Sequence, residues 1–205
     1  LPICKDEWWV GEEQYIKDAK DFSGITINPR EIYEWGLEEV ARVNSEMWTI
    51  AKQIKPNAES LSEVADYLNN HPDYIIHGTE NLKKFLEGVT EFAINEMDGK
   101  LFTIPAKIKK CEVKLDDLTL DESPYYWAPS DDLKRPAFTV YPTVGKTVFT
   151  TWENYSTWFH ESVPGHHMQI ATSILNKETL TAYQRGEAWN SGYGEGWALY
   201  SERLM

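Results

Sequence analysis

The stretch His160-Glu161-Ser162-Val163-Pro164-Gly165-His166-His167 places three of the chain's five histidines within eight residues. A second motif, Glu195-Gly196-Trp197-Ala198-Leu199-Tyr200, follows on the next predicted helix. A His-Glu pair with a further His about two turns on supplies two neutral nitrogen donors and a carboxylate base, and the downstream Glu supplies a third donor. Three protein ligands leave a fourth position open for a water to be activated, which is the donor pattern of a zinc hydrolase.

Spacing discriminates between the two candidate second histidines. Each residue of an α-helix turns about 100°, so His167, seven positions after His160, returns to within about 20° of it, whereas His166 lies about 120° away. On a regular helix His167 is therefore the ligand. Pro164, however, lacks an amide hydrogen and clashes with the carbonyl of residue 160, and Gly165 admits unusual backbone angles, so a break there brings His166 into the site instead. Pro-Gly inside a helix costs roughly 3 kcal/mol, a strain tolerated mainly where function or packing compensates. In the ordinary HExxH spacing the second His falls where Pro164 stands, so that register is absent.

Glu161 is placed to face the open coordination position from the side and is the candidate general base. The expected ligands are His160, His167 and Glu195, with His166 as the alternative second His. Gly196 would let the helix of Glu195 approach closely, Glu202 lies seven positions on as an acceptor for a ligand imidazole, and Glu187 is an alternative ligand. The isolated His71 and His77 read as ordinary solvated side chains.

Outward from the motif, Thr151 to about Leu175 reads as helix, Lys177 to Arg185 as a shorter helix or turn, and Trp189 onward as a last helix. Upstream, Ala137 to Tyr141 reads as a strand ended by Pro142, and Pro124 to Pro129 as an aromatic loop. Leu101 to Leu120 reads as small strands or extended chain. Asn28-Pro29 opens a helix to about Ile54, Ser60 or Ser62 caps a short one stopped at His71-Pro72, and Thr79 caps another that runs through Met97. The expectation is a mainly α fold with a small sheet, residues 1–100 forming a helical region and 101–205 the sheet and motif helices of one continuous catalytic domain.

Composition bounds the rest. The 205 residues, 41% hydrophobic, suffice for one core, yet the chain opens without Met and closes on an uncapped helical pattern, as a piece of a longer one would. A net charge of −13 with no basic stripe excludes a nucleic-acid partner. No apolar run is long enough to span a membrane, and no signal peptide opens the chain; with one removed upstream, periplasmic, lipoprotein and cytoplasmic locations all stay open. Cys4 and Cys111 make neither a metal knuckle nor a redox motif and give only a weak disulfide hint.

His160-Glu161-x-x-Pro164-Gly165-His166-His167-x-Gln169 and Glu195-Gly196-Trp197-Ala198-Leu199-Tyr200-x-Glu202 resemble the paired motifs of the bacterial family catalogued as domain of unknown function 885, grouped with gluzincin-type metallopeptidases. Arg135-Pro136-Ala137-Phe138 also resembles a segment of that family, with Ala137 where Gly is expected. The second motif is similar to the Asn-Glu-Gly-Phe-Ala-x-Tyr-x-Glu signature of aminopeptidase N-like enzymes, whose first Glu binds zinc. The resemblance runs from Arg135 to Leu204 and more loosely over Asn28 to Ile54. It implies a gluzincin-like catalytic region, Zn2+ as cofactor, His160 and Glu195 as ligands and Glu161 as base, and the His-x-Gln order favours His167, with Gln169 and Glu202 supporting the ligands. Members are much longer than this chain, and gluzincins take an oxyanion-stabilising Tyr or His from beyond the third ligand; Tyr193 and Tyr200 are the nearby substitutes.

The leading expectation is thus a zinc-dependent peptidase acting on a peptide substrate. The strand Phe138 to Tyr141 would pair with the substrate backbone, Tyr125, Tyr126 and Trp127 would line its approach, and Tyr193 would border it. The alternatives are a catalytically inactive peptide- or protein-binding module on the same fold, and a closed structural metal site using both His166 and His167. Apolar surface left exposed on a piece of a longer chain would favour a homo-oligomer.

Overall fold

The computed structural model describes residues 9–118 and 123–205, so Cys4 and the end of the predicted extended run at Leu120 lie outside the described residues. The chain forms two compact units, Leu1–Tyr67 and Leu68–Met205.

In the first unit, α1 (Glu12–Ser23) is followed by α2 (Pro29–Ile54). The Asn28 side chain caps α2 by accepting the amides of Arg30 and Glu31, and Pro29 occupies the first turn, where its missing N–H costs nothing. The predicted periodicity does form a helix, but only Ala51 of α2 is buried; Trp35, Val40 and Met47 stay exposed. The next helix, α3 (Leu61–Asn70), begins where the Ser60 hydroxyl accepts the Glu63 amide, which settles the choice between Ser60 and Ser62.

The second unit is organised on α4 (Thr79–Met97), whose Leu82, Leu86, Val89, Ala93 and Met97 recur at three- and four-residue steps and are buried. They form one core with Trp158, Phe159, Val163, Met168 and Ala171. Each such large side chain contributes about 1.5–3 kcal/mol by leaving water. Trp158 is buried with its polar atom satisfied, since Nε1–H donates to Thr90 Oγ1 at 2.8 Å.

Two small sheets flank this core. β1 (Ile75–His77) pairs antiparallel with β5 (Val148–Thr150). The other sheet has the order β2-β4-β3, with β2 (Glu112–Asp116) parallel to β4 (Phe138–Pro142) and β3 (Tyr125–Trp127) antiparallel to it. The stretch read as an aromatic loop therefore contains the edge strand β3. The strand expected to offer a free edge, β4, is the central one, paired on both sides.

The motif region comprises α5 (Thr151–Glu161), α6 (His166–Leu175), the short α7 (Ala182–Gly186) and α8 (Ser191–Leu204). The expected mainly α architecture with small sheets is the one observed. Among the described residues no helix is long and apolar enough to cross a membrane.

Candidate metal centre

Pro164-Gly165 ends one helix and starts another. With no amide at Pro164 the α-helical ladder stops; the Gly165 amide reaches back to the Phe159 carbonyl at 2.9 Å and the His167 amide to that of Ser162 at 3.1 Å. The fit depends on glycine, because a Cβ on Gly165 would stand 1.7 Å from the His160 carbonyl oxygen.

This turn overturns the helical arithmetic. The rings of His160 and His166 meet edge to face at 4.8 Å, while His167 points into the protein interior. Both nitrogens of His167 are occupied: Nε2 lies 2.8 Å from the Ile108 carbonyl and Nδ1 3.1 Å from the Tyr126 hydroxyl. A carbonyl can only accept, so Nε2 carries the hydrogen and Nδ1 accepts from Tyr126. Burial pushes this imidazole down to about 4, so it is neutral in the folded protein. The geometry thus sets His166, the alternative, beside His160, and places His167 in the interior between Ile108 and Tyr126.

α8 delivers the carboxylate. Asn190 caps the helix by accepting the Tyr193 amide at 3.1 Å, and Trp189 folds across the first turn, so that a Cβ on Gly194 would stand 2.1 Å from its ring. The close approach is therefore made at Gly194; around Gly196 the space is open. Glu195 Oε2 lies 3.2 Å from His160 Nε2 and 3.5 Å from His166 Nε2, and one donor atom from each of the three residues falls within 4.8 Å of the others. Among the described residues these three side chains form the group that could hold a metal ion.

Glu202, one further stretch along α8, accepts from His160 Nδ1–H at 2.8 Å and also from the Ser156 hydroxyl. With its hydrogen committed to Glu202, a neutral His160 presents an Nε2 lone pair to the Glu195 carboxylate. Two acceptors face each other there, an arrangement that a proton or a metal cation relieves.

Glu161, next to His160 in the chain, shares a cleft of about 470 Å³ with His160, Glu202 and Tyr141. Burial pushes its carboxyl up to about 7; the nearby His160 lowers it, Glu195 and Glu202 raise it, and the Tyr126 backbone N–H stabilises its charged form. A carboxyl titrating near neutrality can both take and return a proton.

The remaining expected site residues separate. Tyr141 lines the cleft, and alternation along β4 sends Phe138 to the opposite face, where it stacks on Trp127 at 6.2 Å beneath the Lys114 ammonium. Tyr193 and Tyr200 are exposed side chains, Tyr200 beside Trp197. Gln169 is buried and donates from Nε2 to the Tyr193 carbonyl at 3.1 Å. Cys111 is a buried free thiol pushed up to about 11 by burial. Sequence reasoning missed Tyr126 as the residue that holds both Glu161 and His167; its only signal was an aromatic run upstream of the motif.

Comparison with known proteins agrees with this architecture. A crystal structure described as that of the "putative lipoprotein from Colwellia psychrerythraea" superposes with a TM-score of 0.76 at 25% identity, covering 94% of this chain. The chain spans 34% of the length of that protein. No curated protein matches the chain. The model of the family described as "Bacterial protein of unknown function (DUF885)" matches residues 2–205, and the chain belongs to that family.

Proposed function

We propose that this chain carries the metal-binding and catalytic residues of a zinc-dependent peptidase. The observation that carries the reading is the convergence of His160, His166 and Glu195 donor atoms within 4.8 Å, with Glu161 in the adjoining cleft. The donor types suit the ion. Ligand bonds of about 2.0–2.1 Å in a tetrahedron separate ligand atoms by about 3.3 Å; Glu195 stands 3.2 and 3.5 Å from the two imidazoles, and the trio as a whole lies within 4.8 Å, so binding would draw the donors closer together. Two imidazoles with one carboxylate is also the ligand chemistry of catalytic rather than structural zinc.

Bound there, zinc would supply a Lewis acid for a peptide carbonyl and acidify a water. The chain's own residues supply the rest. Glu161 takes a proton from the attacking water and returns it to the leaving amine, a relay suited to a carboxyl held near neutrality. The Tyr126 amide fixes that carboxylate, and Glu202 fixes the His160 tautomer so that Nε2 is free to bind. Tyr126 belongs to β3, the edge strand that carries the amide beside Glu161, so β3 rather than the central β4 is the strand assigned to an extended substrate.

The test is Glu161→Gln in the zinc-loaded protein assayed on a peptide library. The reading requires zinc content equal to wild type and peptide cleavage lowered by at least about 10²-fold. Cleavage at the wild-type rate would remove Glu161 from the chemistry, and absence of cleavage in both proteins would favour a binding module.

A further inference from the structure

Two buried side-chain polar atoms lack a hydrogen-bond partner among the described residues, His166 Nδ1 and Gln169 Oε1. They belong to residues three apart on α6, whose Cβ atoms lie about 5–6 Å apart on one face of a helix. His166 is 7% and Gln169 8% exposed. The two orphans are complementary. Gln169 Nε2 donates to the Tyr193 carbonyl, which can only accept, so the amide cannot be flipped and Oε1 is left as an acceptor. His166 turns Nε2 toward Glu195, so when Nε2 binds a cation the imidazole hydrogen resides on Nδ1, a donor.

We propose that Gln169 is the positioning residue for His166: its amide oxygen accepts the Nδ1 hydrogen of that imidazole, directly or through one water, and aims Nε2 at the site. The proposal rests on the metal reading above. It gives each imidazole of the site an acceptor behind it, the Glu202 carboxylate for His160 and the Gln169 amide for His166. Because the other end of the amide is fixed to the Tyr193 carbonyl, Gln169 also ties α6 to the first turn of α8, two residues before Glu195. A neutral amide in this place spares the site a further negative charge beside Glu161, Glu195 and Glu202.

The experiment compares wild type, Gln169→Leu and Gln169→Glu by zinc affinity in chelator competition, by the imidazole N–H proton resonances of the zinc-loaded proteins, and by metal-free melting temperature. Gln169→Leu loses the acceptor, and its zinc affinity is expected to fall about 10- to 100-fold, with the His166 Nδ1–H resonance shifted or lost to exchange. Gln169→Glu keeps an acceptor but forfeits the donation to Tyr193, so it is expected to melt lower than wild type while keeping zinc affinity near the wild-type value. Equal zinc affinity and an unmoved resonance in Gln169→Leu would overturn the role, as would an equal loss in both variants, which would make the amide only an anchor for α8. A wild-type protein that binds no zinc would overturn the metal reading and this role with it.

Discussion

Truncating His167 should destabilise the protein without emptying the site, and truncating His166 should empty the site at little cost in stability. His167 is 1% exposed and joins the Tyr126 hydroxyl to the Ile108 carbonyl. His167→Ala removes a large buried side chain, worth about 2–5 kcal/mol, and strands two buried polar groups at about 1–3 kcal/mol each. A water entering the space recovers part of that, so the net loss is about 4 kcal/mol. At about 2–4 °C per kcal/mol for a chain of this size, the melting temperature drops by roughly 8–16 °C. His166→Ala deletes a side chain that carries an unsatisfied nitrogen, so its loss should stay near 1 kcal/mol. Melts followed by circular dichroism in excess chelator exclude stabilisation by bound metal, and zinc titration of the same proteins reads the site. Zinc affinity should survive in His167→Ala and be lost in His166→Ala. Loss of zinc in His167→Ala at an unchanged melting temperature would refute the assignment of the two histidines.

Gly165→Ala should cost about 3 kcal/mol or more, because the new Cβ meets backbone that cannot rotate away, and no comparable loss is expected for Gly196→Ala. Chemical denaturation checks both, and equal midpoints would mean that the turn yields. Acid should also weaken the fold through His167. Its folded value of about 4 lies below the ordinary 6.5, so its contribution of about 3 kcal/mol is present above pH 6.5 and is lost as the pH falls toward 4. Glu161, raised to about 7, acts oppositely, stabilising at low pH and losing its contribution as the pH rises from 4.5 through 7. The quantity to compare is therefore the pH slope of stability in wild type minus that in His167→Phe; identical slopes would contradict the neutral buried imidazole.

Local signals in the sequence carry much of this architecture. Asn28-Pro29, His71-Pro72 and the apolar spacing of Leu82 to Met97 mark helix ends and a buried face, because caps and prolines act within a few residues. Features that depend on distant partners are not legible. β1, β3 and β5 are three residues each and exist only through strands elsewhere in the chain. α1 begins at Gly11 without a side-chain cap, so the start signal that marks the later helices is missing. The His166 and His167 assignments exchange because angular spacing presupposes an unbroken helix, whereas the chain leaves the helix at Ser162 and re-enters it at His166. Pro164-Gly165 announces that a break exists, and its geometry emerges only when the Gly165 amide finds the Phe159 carbonyl.

Metal content tests the central claim most directly. Wild type, His160→Ala, His166→Ala and Glu195→Ala are each loaded with zinc, dialysed and submitted to elemental analysis. The account predicts about one zinc per chain in wild type, the number that a single three-donor site holds, and none retained by the three variants. A wild-type protein that keeps no zinc, or variants that keep as much as wild type, would contradict it.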